Sequence, residues 1–132
     1  MTPVITVSKR SVQLLRIMVS AIFLVAGFNH LVAIEKTVQR IEMAKFKGFA
    51  LFFGNLELLV ILSGIAMVLA GISFLIGFKT RWAAIVLLAI LLPITLTIQV
   101  GQITSLGPLF KNIAIAGGLL FFIINDIKTF KK

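Results

Sequence analysis

The chain contains no cysteine and only one histidine among its 132 residues. Without cysteine it forms no disulfide, no thiol redox centre and no cysteine-ligated iron–sulfur cluster. The single histidine, His30, cannot supply both axial ligands of a bis-histidine haem. We therefore expect no metal site and no covalently bound cofactor. Any electron transfer would need a cofactor that another protein holds.

Charged residues are also scarce, at 13% of the chain, whereas hydrophobic residues make up 60%. The mean hydropathy is +1.15. A soluble domain of this size could not cover its surface with so few polar side chains. The apolar residues form runs of about 20 residues, the length that crosses about 30 Å of hydrocarbon. The sequence therefore indicates one integral membrane domain.

The net charge of +9 comes from 13 basic and 4 acidic residues. The Lys and Arg residues lie at the ends of the apolar runs, where cations mark membrane boundaries, and this excludes nucleic acid as the expected partner. The sequence shows no phosphate-binding glycine loop, hydrolase motif, repeat or low-complexity tract. We expect membrane lipids and protein partners in a membrane complex instead.

The apolar runs predict four membrane spans, at about 12–34, 51–77, 82–101 and 108–125. Pro108 suits a helix start, and Pro93 predicts a kink in the third span. Short links favour an all-α, antiparallel four-helix bundle in the membrane. Lys9 and Arg10 before the first run resemble a signal peptide, but the run is long, so we expect it to be retained.

The segment 35–48 between the first two spans has a helical pattern of its own. Ile34, Val38 and Ile41 follow a helical spacing while charges occupy the other faces. This pattern predicts a short amphipathic helix on the outer surface, with a solvated loop as the alternative. Eight cations fall on the side of the two termini and five on the other, so we expect both termini in the cytoplasm.

Glu57 is the only ionisable residue in the apolar stretch from Phe49 to Phe78. Helical steps place it on one face with glycines, and small residues mark close helix approach in membranes. We therefore expect Glu57 to point into the bundle, although counting back from Phe78 places it at the interface. The small residues that we expect at helix contacts are Gly27, Gly64, Gly71 and Gly118.

Several polar residues fall at the same outer depth: His30, Asn55, Glu57, Gln99, Lys111 and Asn112. An ammonium, an imidazole and a carboxylate at one depth can neutralise one another, so we expect Glu57 near Lys111 or His30. Such a pair could instead only pin helices together, and Lys111 could extend to water. We expect three further residues to anchor the cytoplasmic end: Arg16, Arg81 and Asp126. Of these, Arg16 and Asp126 are expected to pair.

Four motifs resemble the DoxX family, and together they cover about residues 12–125. They are "RIMVSAIFLVAGFNHL" (16–31), "GNLELLVILSGIAMVLAG" (54–71), Arg81 at the start of the third span, and "KNIAIAGGLL" (111–120). One position departs from the family pattern, because His30 stands where the family commonly has Lys. A titratable group there replaces a permanent cation.

The resemblance implies a four-helix protein of the bacterial inner membrane. Some members are named as small subunits of quinone-reducing oxidoreductases, including thiosulfate:quinone oxidoreductase. One hypothesis is thus a quinone- or lipid-facing pocket for a partner oxidoreductase, in which Lys111, Asn112 or Gln99 would donate hydrogen bonds. His30 and Glu57 would relay protons.

Two other functions remain open. One is a non-catalytic structural or assembly subunit of a larger membrane complex, and the small size of the chain favours it. The other is a solute or proton pathway, which the few polar residues of span two disfavour. Enzymatic activity is undecided, but without a cofactor-binding motif or cysteine we expect no oxidoreductase activity from this chain alone.

Overall fold

The computed structural model describes residues 3–43, 54–96 and 106–125, which form five α-helices. The helices are α1 (Lys9–Val32), α2 (Ile34–Glu42), α3 (Leu56–Ile76), α4 (Thr80–Ile94) and α5 (Leu106–Asn125). By length and composition α1, α3 and α5 can cross a membrane, and α4 is a shorter apolar helix. The expected helical segment 44–48 and the span ends at 51–53 and 97–101 lie outside the described residues.

Local chemistry sets both ends of α3. The Asn55 side chain accepts hydrogen bonds from the backbone N–H groups of Glu57 (2.9 Å) and Leu58 (3.3 Å), which caps the helix start. At the other end Gly77 adopts φ 82°, a left-handed conformation that glycine reaches without a steric penalty. The Gly77 and Phe78 N–H groups both donate to the Ser73 carbonyl, so the chain turns sharply towards α4.

Two of the three prolines, Pro93 and Pro108, lie inside helices. Pro108 is the third residue of α5 rather than its first, which is tolerated because the first-turn N–H groups lack helical acceptors. Pro93 lies one residue before the end of α4, and a wider π-type turn follows at residues 95–96. There the Thr95 hydroxyl donates 2.7 Å to the Leu91 carbonyl. The backbone disturbance expected at Pro93 thus takes the form of a widened turn.

α1 and α3 run antiparallel and form the closest helix pair of the fold. Near the start of α1 the Arg16 Nε donates 3.4 Å to the Leu75 carbonyl at the end of α3. Near the end of α1 the His30 ring lies 3.0 Å from the Ser63 hydroxyl, in the first half of α3. Residues near the start of α1 therefore contact the end of α3, and residues near the end of α1 contact the first half of α3, as expected of antiparallel helices.

Two glycines let these helices meet backbone to backbone. A Cβ atom built on Gly64 would lie 2.9 Å from the His30 Cβ and 3.1 Å from the Gly27 carbonyl oxygen. One built on Gly27 would lie 2.9 Å from the Gly64 carbonyl oxygen. A Cβ atom built on Gly71 would lie 3.0 Å from the Leu24 side chain, and one built on Gly118 would lie 3.1 Å from the Val19 side chain. The glycines marked by the sequence pattern thus lie where helices touch.

The main apolar core lies towards the end of α3 and of α5. Phe74 and Phe122 pack edge to face with ring centroids 4.9 Å apart, and both are fully buried. Leu87 of α4 and Leu119 of α5 complete this core with no exposed surface. Side chains of α3, α4 and α5 thus fill the core at this end of the molecule. The cavity described below lies at the other end, beside α2.

α2 packs against protein with its apolar side. Ile41 of α2 and Val60 of α3 are both buried and form the centre of a second cluster. Partly buried apolar side chains surround them: Ile34, Val38, Leu56 and Leu59. The predicted amphipathic helix thus forms at Ile34–Glu42, with its apolar stripe packed against the start of α3. Its location on the outer membrane surface stays a prediction.

Large apolar side chains stay exposed around the outside of the long helices. Met18 and Val25 of α1, Leu62 and Leu69 of α3 and Ile124 of α5 are each more than half exposed. Such continuous apolar surface is rare on soluble proteins. It is the surface that hydrocarbon requires, so these faces contact lipid.

Adding a methyl group at the α1–α3 contact should destabilise the fold. We expect Gly64→Ala and Gly27→Ala to cost about 1–3 kcal/mol each, because backbone atoms of the partner helix cannot move aside separately. Thermal unfolding in detergent, followed by circular dichroism, measures the effect. Gly117→Ala is the matched control, since nothing lies within 4 Å of its added Cβ. Equal melting of all three variants would contradict the close contact.

Candidate functional site

A cavity of about 150 Å³ lies at the α2 end of the molecule, and all five helices contribute to its wall. We call it the α2-end cavity. Its polar lining residues are His30, Thr37, Arg40, Lys111 and Asn112. Its apolar lining residues are Ile22, Phe23, Ala26, Met67, Ile90, Leu91, Ile94 and Ile115. A cavity of about 150 Å³ holds a molecule the size of one benzene ring.

His30 reaches the cavity from the last turns of α1. Its Nδ1 lies 3.0 Å from the Ser63 Oγ, and that hydroxyl donates its one proton 2.9 Å to the Val60 carbonyl. With that proton on the Val60 carbonyl, the Ser63 hydroxyl accepts from the imidazole, and we infer from this arrangement that the neutral ring is protonated at Nδ1. The Nε2 atom then carries a lone pair that can accept a hydrogen bond or a proton.

Asn112 fixes α5 to α4 beside the cavity. Its side chain is 6% exposed, and its Nδ2 donates 2.9 Å to the Thr95 Oγ. The Thr95 hydroxyl in turn donates to the Leu91 carbonyl. Each such bond adds about 1 kcal/mol, but a buried amide left unpaired costs about 1–3 kcal/mol. The pair therefore holds this wall of the cavity in place.

Arg40 and Lys111 supply the charge of the cavity. They come from α2 and α5, line the cavity and are otherwise exposed. Thr37 stands one turn before Arg40 on the same face of α2 and is buried. The lining residues that the structure describes include no acidic side chain, so the formal charge of this lining is positive.

Glu57 lies at a different place. It is exposed in the first turn of α3 and lines a separate depression with Ile34, Glu35, Val38 and Gln39 of α2. The expectation that Glu57 points into the bundle is wrong, because the helix begins at Leu56 and its first turn precedes the buried stretch. A carboxylate there is favourable, since the N-terminus of a helix carries partial positive charge.

The structure thus brings together three of the residues that the sequence marked as a polar cluster: His30, Lys111 and Asn112. Asn55 is a helix cap, and Gln99 lies outside the described residues. Sequence reasoning missed Thr37, Arg40, Ser63 and Thr95 as site residues. The spacing of Thr37 and Arg40 on one face of α2 was the available signal.

The residues expected to anchor the opposite end are only partly described. Arg16 is 5% exposed and donates to the Leu75 carbonyl, while Arg81 is exposed at the start of α4. Asp126, the expected partner of Arg16, lies outside the described residues. Across the described ranges, no three His, Asp or Glu side chains lie together in a way that could hold a metal ion.

Residues 11–100 match the family model described as DoxX. This range includes all but the first two residues of α1 and the whole of α2, α3 and α4, and therefore His30, Thr37 and Arg40, whereas Lys111 and Asn112 lie beyond it. No curated protein and no solved structure matches the chain. The function of the cavity must therefore be argued from the geometry of this chain.

The tautomer of His30 can be measured directly, because it is the only histidine. We expect ¹⁵N NMR of the histidine-labelled protein to show the neutral ring protonated at Nδ1. Ser63→Ala removes the acceptor and should shift the ring towards a mixture of tautomers. Ser73→Ala, which changes a hydroxyl at the opposite end of α3, is the control. A wild-type ring protonated at Nε2 would contradict the assigned hydrogen bond.

Proposed function

The chain belongs to the DoxX family, and we propose that it is a small membrane subunit whose α2-end cavity holds the headgroup of a quinone or lipid. A partner oxidoreductase would use the bound molecule. The observation that carries this proposal is the pairing of an apolar wall with polar groups from α1, α2 and α5 in one cavity. Ligand sites commonly combine apolar walls with a few convergent polar groups.

The size of the cavity supports a headgroup rather than a whole ligand. About 150 Å³ suits one ring or one small polar group, whereas sites that enclose a drug-sized molecule measure about 300–1,000 Å³. An apolar tail would therefore lie outside, along the exposed apolar faces of the helices. A membrane amphiphile meets both conditions, because its tail is already in hydrocarbon.

The polar groups suit a headgroup that accepts hydrogen bonds. The Arg40 guanidinium and the Lys111 ammonium can only donate, and carbonyl or ester oxygens can only accept. The Nε2 atom of His30 is available to take a proton from a hydroxyl such as that of a quinol. Glu57 has no part in this proposal, because it lies on the other depression.

The same proposal includes a four-span arrangement in the bacterial inner membrane. The pairing of Asn112 with Thr95 joins the end of α4 to the start of α5. This supports the shorter helix α4 as a membrane span, the third of four along the chain. With α1, α3 and α5 this gives an antiparallel bundle with both termini on one side. The distribution of cations supports the cytoplasm as that side.

Filling the cavity tests the ligand proposal. Native mass spectrometry of the gently extracted protein should show one retained quinone or lipid molecule. Ala26 lines the cavity, so Ala26→Phe should lose that molecule by steric exclusion. Ala21→Phe is the control, because Ala21 lies on the exposed side of the same helix.

Equal retention by the two variants would overturn the cavity as the binding site. Loss of all amphiphile from the wild type, together with stoichiometric co-purification of other membrane chains, would favour the structural or assembly function instead. A purified chain that turns over a quinone with no other protein present would refute the dependence on a partner.

The orientation can be tested with single cysteines, because the chain has none of its own. In intact cells Thr6→Cys should resist a membrane-impermeant maleimide, whereas Lys36→Cys on α2 should react. Both positions are exposed, so access depends on the side of the membrane. Labelling at Thr6 and not at Lys36 would reverse the orientation.

A further inference from the structure

The positive charge of the α2-end cavity has no counterion among the described residues. The chain has four acidic residues: Glu35, Glu42, Glu57 and Asp126. Glu35 and Glu57 line the separate depression, and Glu42 is exposed and does not line the cavity. The three described carboxylates thus lie away from a cavity that two cations line.

The fold brings the two cations to the cavity on two different helices, α2 and α5. α2 is fixed by the packing of Ile41 on Val60, and this leaves the Thr37–Arg40 face of α2 towards the cavity. Lys111 precedes Asn112, whose bond to Thr95 fixes α5 against α4. Both cations are therefore carried by helices with fixed positions, and only their side chains need to adjust to a ligand.

The apolar wall strengthens the effect of these charges. Phe23, Met67 and Leu91 are buried side chains of the lining, so an anion in the cavity would lie against a medium of low dielectric constant. Clefts lined by one sign of charge with such walls concentrate ions of the opposite sign. A neutral headgroup would use the same hydrogen-bond donors but would gain no attraction between opposite charges.

We infer that the α2-end cavity selects an amphiphile whose headgroup carries a net negative charge on its oxygens over one that is uncharged or zwitterionic, because the ammonium of a zwitterion would meet the same two cations. This inference rests on the proposed function and names the ligand class of that same site. Phosphodiester and carboxylate groups share the required chemistry, because their oxygens accept several charge-assisted hydrogen bonds at once. The arginine fork of Arg40 can bind two such oxygens, and Lys111 adds a third donor.

Titration of the purified protein in neutral detergent, followed by native mass spectrometry, tests the inference. The probes are phosphatidylglycerol and phosphatidylcholine with identical acyl chains, oleate, decylubiquinone and inorganic phosphate. We expect phosphatidylglycerol and oleate to bind at least about tenfold more tightly than phosphatidylcholine or decylubiquinone. Inorganic phosphate should bind far more weakly, because it has no tail to remain in the micelle.

Charge variants locate the selectivity. Lys111→Gln and Arg40→Gln remove the charge and keep a hydrogen-bond donor, and each should weaken phosphatidylglycerol binding about fivefold without changing phosphatidylcholine binding. Lys36→Gln is the matched control, because Lys36 is an exposed cation of α2 that does not line the cavity. Its affinity for phosphatidylglycerol should equal that of the wild type. Circular dichroism confirms that each variant is folded.

Five results would overturn the inference. Equal affinity for phosphatidylglycerol and phosphatidylcholine would remove the charge selection, and an equal loss in Lys36→Gln would assign it to general surface charge. Inorganic phosphate binding as tightly as phosphatidylglycerol would show a free anion as the ligand.

Tight decylubiquinone binding that Ala26→Phe abolishes would refute charge selection yet leave the proposed function standing. No difference between Ala26→Phe and Ala21→Phe for any probe would refute both.

Discussion

The backbone contact between α1 and α3 at Gly27 and Gly64 governs the geometry of the whole α2 end. It brings the end of α1 against the first half of α3, so that His30 meets Ser63 although 33 positions separate them in the sequence. Only Ala33 separates α1 from α2, and the position of α1 therefore sets that of α2. Larger side chains at the two glycines would separate the helices and change the cavity wall.

The cavity arises because the helices pack tightly at one end and carry polar groups at the other. Phe74 and Phe122 close the core at one end with aromatic edge-to-face packing. At the α2 end, the bond from Asn112 to Thr95 satisfies buried polar groups and the bond of His30 to Ser63 satisfies partly buried ones, without filling the space between them. Polar groups that are held by partners in this way can face a cavity at little cost to stability.

Family membership and the cavity answer different questions. The DoxX match identifies the kind of membrane protein but extends only to residue 100. Lys111 and Asn112 lie beyond it, and Arg40 acts from a helix whose charged face looks like ordinary surface in the sequence. The polar lining of the cavity therefore depends on how this chain packs five helices together. Its described lining has two cations and no acidic residue, so its formal charge is positive.

The sequence by itself determined the helices, because their signals are local. Apolar runs set the membrane-spanning lengths, Asn55 and Gly77 set the ends of α3, and the spacing of Gly27, Gly64 and Gly71 marked the contact faces. Only the tertiary structure decided which polar residues meet. Helical periodicity states which residues share a face but not what that face opposes, so Arg40 was missed and Glu57 was placed wrongly. The packing of α2 on α3 brings Arg40 to the cavity, and the start of α3 at Leu56 leaves Glu57 in an exposed first turn.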